Sequence, residues 1–163
     1  MADDSPVLIA YDGSEAARAA VREAGALFAP CEALVLTVWE PALAEFMMMP
    51  NPSGVGGTML PYDPELAREV ERSNEEHAQA IAADGATLAQ AAGLLARALA
   101  EQDVTSPAEA IVQAAEQQRA RAIVIGSRGL RGLKARLLGS TSTEVLHKAA
   151  VPVVVVRHPD ESS

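Results

Sequence analysis

The sequence predicts an α/β fold: a single-domain, doubly wound parallel sheet of five strands with helices on both faces. Three observations carry this. Short β-rich apolar runs alternate with helical patterns along the chain. Two of the runs, ALVLTVW and VPVVVV, are continuous hydrophobic segments of the kind buried on both sides in parallel sheets. Helix-start signals stand between the runs.

The first strand is read from Val7 to Tyr11, where Asp12-Gly13 marks a turn. Ser14 then has the chemistry of an N-cap, and Ala17, Val21, Ala24 and Phe28 recur at helical spacing until Pro30 ends the helix. Ala33 to Trp39 is the second strand. From Glu40 to Pro64 the prolines Pro41, Pro50, Pro52, Pro61 and Pro64 and the glycines Gly54, Gly56 and Gly57 exclude regular structure. A loop of that length reads as a flexible flap or surface loop, with Met47-Met48-Met49 as an adaptable apolar cover. Glu65 to about Ala92 is helical, with Leu66, Val70, His77, Ile81 and Leu88 on one face. That pattern makes His77 a stripe residue at the core margin.

Leu94 to Val104 reads as helix by propensity, yet the alternation requires a strand there. Ser106-Pro107-Ala108-Glu109 has capping-box spacing with proline at the first helical position, so a helix runs from Pro107 to about Gln118. Ala122 to Ile125 is a strand entering a glycine loop. Ser140 to about Ala149 is the next helix, Val151 to Val156 the last strand, and residues 158–163 a frayed tail. The whole chain, 1–163, is expected to form one domain with 40–64 as its flexible loop.

Composition narrows the function. With 13 Lys and Arg against 22 Asp and Glu the net charge is -9, which argues against nucleic acid and anionic membranes as partners. Apolar runs stay well short of the roughly 20 residues a membrane helix needs. The start MADDSP lacks a basic segment followed by an apolar run, and the one cysteine, Cys31, has no internal partner, so a cytoplasmic location is expected. The position of Cys31 between helix and strand suits a small buried thiol.

The chemistry concentrates in GSRGLRGLKARLLGSTSTE, Gly126 to Glu144. Glycines there let backbone N–H groups approach an anion, and a following helix start adds free donors. Ser140, Thr141 and Ser142 bring hydroxyls to that helix start; alternatively Thr141 and Glu144 close a capping box. Arg128, Arg131, Lys134 and Arg136 add four cations in an acidic chain, as a phosphate site or a solvated basic face. The loop is neither a Walker A sequence nor G-x-G-x-x-G. No G-x-S-x-G elbow occurs, and His77, His147 and His158 lack metal-ligand spacing. Asp12 is either the first residue of an Asp-Gly turn or, at the carboxyl end of a strand facing phosphates, a ligand for Mg²⁺, the reading favoured here.

On VLIAYDGSEAA, ALVLTVWEP, AIVIGSRG, LLGSTS and VLHKAAVPVVVV, the chain resembles the ATP-binding subgroup of the universal stress protein family. The resemblance runs from Val7 to Arg157, with the 40–64 loop as its variable part. The family's signature, G-2x-G-9x-G-[ST], is present as Gly126, Gly129, Gly139 and Ser140. The resemblance implies strand order 3-2-1-4-5 and ATP lying across strands one and four. It implies adenine held by backbone near Val38 and Ala10, ribose near Asp12 and Gly126, and phosphates on Gly129, Gly139, Ser140 and Thr141 with Ser142 alongside. Ser127 and Arg128 complete the expected set. Arg121 and Thr105 depart from the family, which often has an acidic residue and a glycine at those places.

The expected function is an ATP-Mg²⁺-binding stress-response or regulatory module whose nucleotide changes its contacts with a protein partner. A slow ATPase, or autophosphorylation at Ser140 or Ser142, is the alternative, though the loop has no evident general base. The last strand falls at the sheet edge in the implied order, so pairing with its counterpart in a second chain gives a homodimer through Val151 to Val156.

Overall fold

The computed structural model describes residues 5–41, 63–103, 105–127 and 138–157 of the chain. Along these run β1 (Val7–Ala10), α1 (Glu15–Phe28), β2 (Glu32–Trp39), α2 (Pro64–Ala91), β3 (Leu95–Gln102), α3 (Pro107–Gln117), β4 (Ala122–Gly126), α4 (Ser140–Lys148) and β5 (Val153–Val156). The strands form one parallel sheet in the order β3-β2-β1-β4-β5. Most of the expected 40–64 loop, with Met47–Met49, and the 158–163 tail lie outside the described residues.

Side chains alternate across the sheet and divide the core into two layers. Val7, Ile9, Val35 and Val124 face Ala17, Ala20, Val21 and Ala24 of α1 and Ala86 and Ala89 of α2. Leu8, Leu36, Ile123 and Ile125 face Ala108, Ile111, Ala114 and Ala115 of α3 and Val145 of α4. Val7, Leu8 and Ile9 are fully buried, and burying each such side chain stabilises by about 2 kcal/mol. Among the described residues, no helix is long and apolar enough to cross a membrane.

The helix starts follow from the sequence. The Ser14 hydroxyl accepts from the Ala17 amide at 3.1 Å, the Asp63 carboxylate from the Glu65 amide at 2.9 Å, and the Ser106 hydroxyl from the Glu109 amide at 3.1 Å. Pro64 and Pro107 occupy the first turns of α2 and α3, where a missing N–H costs nothing.

Leu95–Gln102 is the strand that the alternation requires, despite its helix-forming composition, because it pairs with all of β2 from Glu32 to Trp39 and packs Ala96 and Ala98 against the core; tertiary pairing overrides propensity. One local reading needs correction. The buried stripe of α2 is Ala78, Ala82, Gly85, Ala86 and Ala89, not the larger residues at neighbouring phases. Small residues let the helix lie close on β2 and β3, so His77 is exposed, Leu66 is 49% exposed, and Ile81 and Leu88 sit half-buried at the margin. Cys31 is likewise only half-buried. Arg121 stacks its guanidinium over the Phe28 ring, 5.6 Å from the centroid, joining the end of α1 to the start of β4.

Candidate functional site

From β1 the sheet continues through β2 on one side and β4 on the other, so the order reverses between β1 and β4. Beyond their carboxyl ends the chain passes to helices on opposite faces, α1 on one and α4 on the other, the kind of switch point at which open α/β sheets take up ligands. Ala10 ends β1 opposite Leu36, Val38 lies two residues further along β2, and Gly126 ends β4.

The β1–α1 turn is held rigidly. The Tyr11 amide donates to the Leu36 carbonyl at 2.8 Å, and the buried Thr37 hydroxyl donates to the Tyr11 carbonyl at 2.8 Å. Thr37, the polar residue in the apolar run ALVLTVW, thereby supplies the donor that the strand ladder no longer offers. Next, Asp12 Oδ1 accepts from the Ser14 amide at 3.0 Å across Gly13, whose φ of +80° suits glycine. Asp12 therefore has the turn role its Asp-Gly pair predicts. The Tyr11 hydroxyl donates to Asp84 Oδ2 at 2.8 Å; burial first, then this bond, pushes its pKa up to about 12.

The β4–α4 connection is closed at its base. The Ser127 amide donates to the Val156 carbonyl at 2.8 Å, and the Gly139 amide donates to the Ser127 carbonyl at 2.8 Å. Ser142 is buried, and its hydroxyl donates to the Gly139 carbonyl at 3.0 Å and towards the Ser127 carbonyl at 3.4 Å. Its proton thus serves the neck of the loop. Ser140 is exposed and Thr141 half-buried at the helix start. Gly126 has a packing task as well: a Cβ there would stand 2.8 Å from the backbone carbon and oxygen of Ala16. Arg128, Gly129, Arg131, Lys134 and Arg136 lie outside the described residues.

Unlike the other three helices among the described residues, α4 begins without a side-chain cap. Its N-cap is Gly139, and no acidic residue stands in its first turn. The alternative capping box of Thr141 and Glu144 is not what the structure shows. Glu144 turns away to Lys148 Nζ at 2.8 Å and the Ser106 hydroxyl at 3.3 Å, while Lys148 also meets Glu109 at 2.6 Å. The hydrogen bonds of Lys148 pull both carboxyl groups below the ordinary Glu range, and the same bonds, Glu109 first, push the ammonium above its usual value. Among the described residues, no side chain caps the start of α4, where the amides of Ser140, Thr141 and Ser142 form the positive end of the helix.

Among the described residues, no group of three or more His, Cys, Asp or Glu side chains gathers as a metal site. Sequence reasoning singled out Asp12, Gly126, Gly139 and Ser140; Asp12 follows the carboxyl end of β1, Gly126 ends β4, and Gly139 and Ser140 begin α4. It did not find Thr37, Asp84 or Gly85. The hydroxyl inside an apolar strand was a signal for Thr37; Asp84 and Gly85 gave none, since their relation to Tyr11 exists only once α2 is laid on the sheet.

The family model of the universal stress proteins matches residues 5–157. A universal stress protein of Thermus aquaticus is 35% identical over 153 residues, which cover 93% of this chain and 97% of the relative. Among solved structures, the hypothetical protein MJ0577 superposes with a TM-score of 0.73 at 24% identity, covering 96% of this chain and 98% of its own. A universal stress protein in complex with cAMP superposes with a TM-score of 0.59 at 23% identity, covering 95% and 98%. The five-stranded order, the glycine signature and a match across nearly the whole length agree, and the chain belongs to the universal stress protein family.

Proposed function

We propose that this protein binds an adenine nucleotide, ATP with Mg²⁺, in the crevice between β1 and β4, and that occupancy modulates its contacts in a stress response. The observation that carries the reading is the uncapped start of α4 at the point where strand order reverses. The amides of Ser140 and Thr141 and the Ser140 hydroxyl suit phosphate oxygens, backbone near Val38 and Ala10 suits adenine, and Asp12 and Gly126 suit the ribose. A structural neighbour bound to cAMP supports a nucleotide ligand. Asp12 supplies a hard carboxylate oxygen of the type Mg²⁺ selects, with the remaining ligands coming from phosphate and water. When bound, the cation would neutralise phosphate charge.

A melting series with ATP, ADP, AMP and Mg²⁺ tests this. Nucleotide at a hundredfold to thousandfold excess over Kd stabilises by roughly 3 to 4 kcal/mol, so millimolar ATP-Mg²⁺ is expected to raise Tm clearly if Kd is micromolar. A flat series overturns the reading.

Self-association is part of the same proposal. β5 forms one edge of the sheet, and its valines Val153 to Val156 are half-buried. A second copy pairing through 151–156 would satisfy the open edge of β5. Sedimentation at micromolar concentration is expected to give the mass of two chains; a monomer refutes this part.

A further inference from the structure

We propose that Asp84 and Gly85 of α2 are positioning residues for the carboxylate of Asp12, acting through Tyr11. The inference rests on the nucleotide reading above and deepens it. Tyr11 is fixed from four directions: its amide by the Leu36 carbonyl, its carbonyl by the Thr37 hydroxyl, its phenol oxygen by Asp84 Oδ2 at 2.8 Å, and its ring by Gly85. A Cβ on Gly85 would stand 2.6 Å from Cδ1 of the Tyr11 ring and 2.7 Å from Val35, so glycine lets the ring approach the helix this closely. Arg18 of α1 reaches the same Asp84 oxygen at 3.6 Å, which draws a third element into the arrangement. Only 3% of Tyr11 is exposed.

The residue so fixed directly precedes Asp12, and Asp12 Oδ1 is already committed to the Ser14 amide. The direction of that carboxylate therefore follows the seat of Tyr11 on α2. A group that meets a cation or a ribose must be held to about 0.5 Å, and such precision comes from packing and hydrogen bonds behind it. Removing the phenol oxygen loosens one support, and adding a methyl at Gly85 displaces the ring itself.

Four variants test the role: Tyr11→Phe, Gly85→Ala, Asp84→Asn and Asp12→Asn. Two readouts are needed: amide exchange at Gly13 and Ser14 without nucleotide, and the ratio of ATP Kd in EDTA to that in Mg²⁺. Tyr11→Phe and Gly85→Ala are expected to speed exchange at those amides at least fivefold and to shrink the Mg²⁺ enhancement at least threefold. Asp84→Asn keeps an acceptor for the phenol and is expected to behave as wild type. If Gly85→Ala does not fold, Tyr11→Phe decides, because it deletes one atom and keeps the ring. Unchanged exchange and unchanged Mg²⁺ enhancement in folded Tyr11→Phe, with the enhancement lost in Asp12→Asn, overturn the positioning role alone. Wild type that binds no nucleotide, or Asp12→Asn that keeps the full enhancement, overturns the reading beneath it and this inference together.

Discussion

Gly126→Val is expected to lower the stability of the protein by about 3 kcal/mol, the upper end of ordinary overpacking costs. At 2–4 °C per kcal/mol for a chain of this size, Tm falls by roughly 6–12 °C. The cost comes from backbone. A Cβ at this position meets the carbon and oxygen of Ala16 at 2.8 Å and its Cβ at 3.1 Å, and no rotamer can relieve contacts with a main chain inside the first turn of α1. Gly126 ends β4 and is buried, so the only relief is separation of α1 from the sheet, which opens the layer that Ala17, Ala20 and Val21 close. Thermal melts without nucleotide measure the effect, and the strand-forming tendency of valine works against it. An unchanged Tm would mean that α1 does not sit on β4 in this way.

Gly139→Val is expected to leave the fold intact and to weaken ATP-Mg²⁺ at least a hundredfold, equivalent to about 2.8 kcal/mol. Gly139 has φ -59° and ψ 155°, an extended conformation that valine adopts freely, so the backbone needs no glycine here. What valine adds is a branched side chain at the mouth of the uncapped helix, where an anion must come within hydrogen-bonding distance of the amides. Calorimetric titration with ATP-Mg²⁺, together with a melt of the variant, separates the two glycines: Gly126 is expected to act through stability and Gly139 through affinity. Wild-type affinity in folded Gly139→Val would remove the helix start of α4 from the site.

Much of this was legible in the chain because its signals are local. Ser14, Ser106 and Pro107 announce helix starts by chemistry that works within three residues, and the valine and leucine runs announce buried strands. Strand order was not legible from periodicity; it came with the family resemblance. Alanine carries little weight as a periodic signal: β3 was legible only from the alternation of elements and not from its own residues, and the alanine stripe of α2 was misread beneath a stronger pattern of leucine, valine and isoleucine. In the site, the turn at Asp12 and the helix start at Ser140 were visible because their residue types are committed to those tasks. The inward turn of the Ser142 hydroxyl was not, since a serine three residues into a helix reads equally as ligand or as internal clasp.

The bond from the Gly139 amide to the Ser127 carbonyl has an evolutionary corollary. It joins the residues on either side of the span 128–138 at one point, so the end of β4 and the start of α4 meet there whatever the number of residues between. Lengthening a tethered span is cheap, about 0.6 kcal/mol for each doubling. A lineage can therefore change the length of that span without rebuilding the architecture on either side of it.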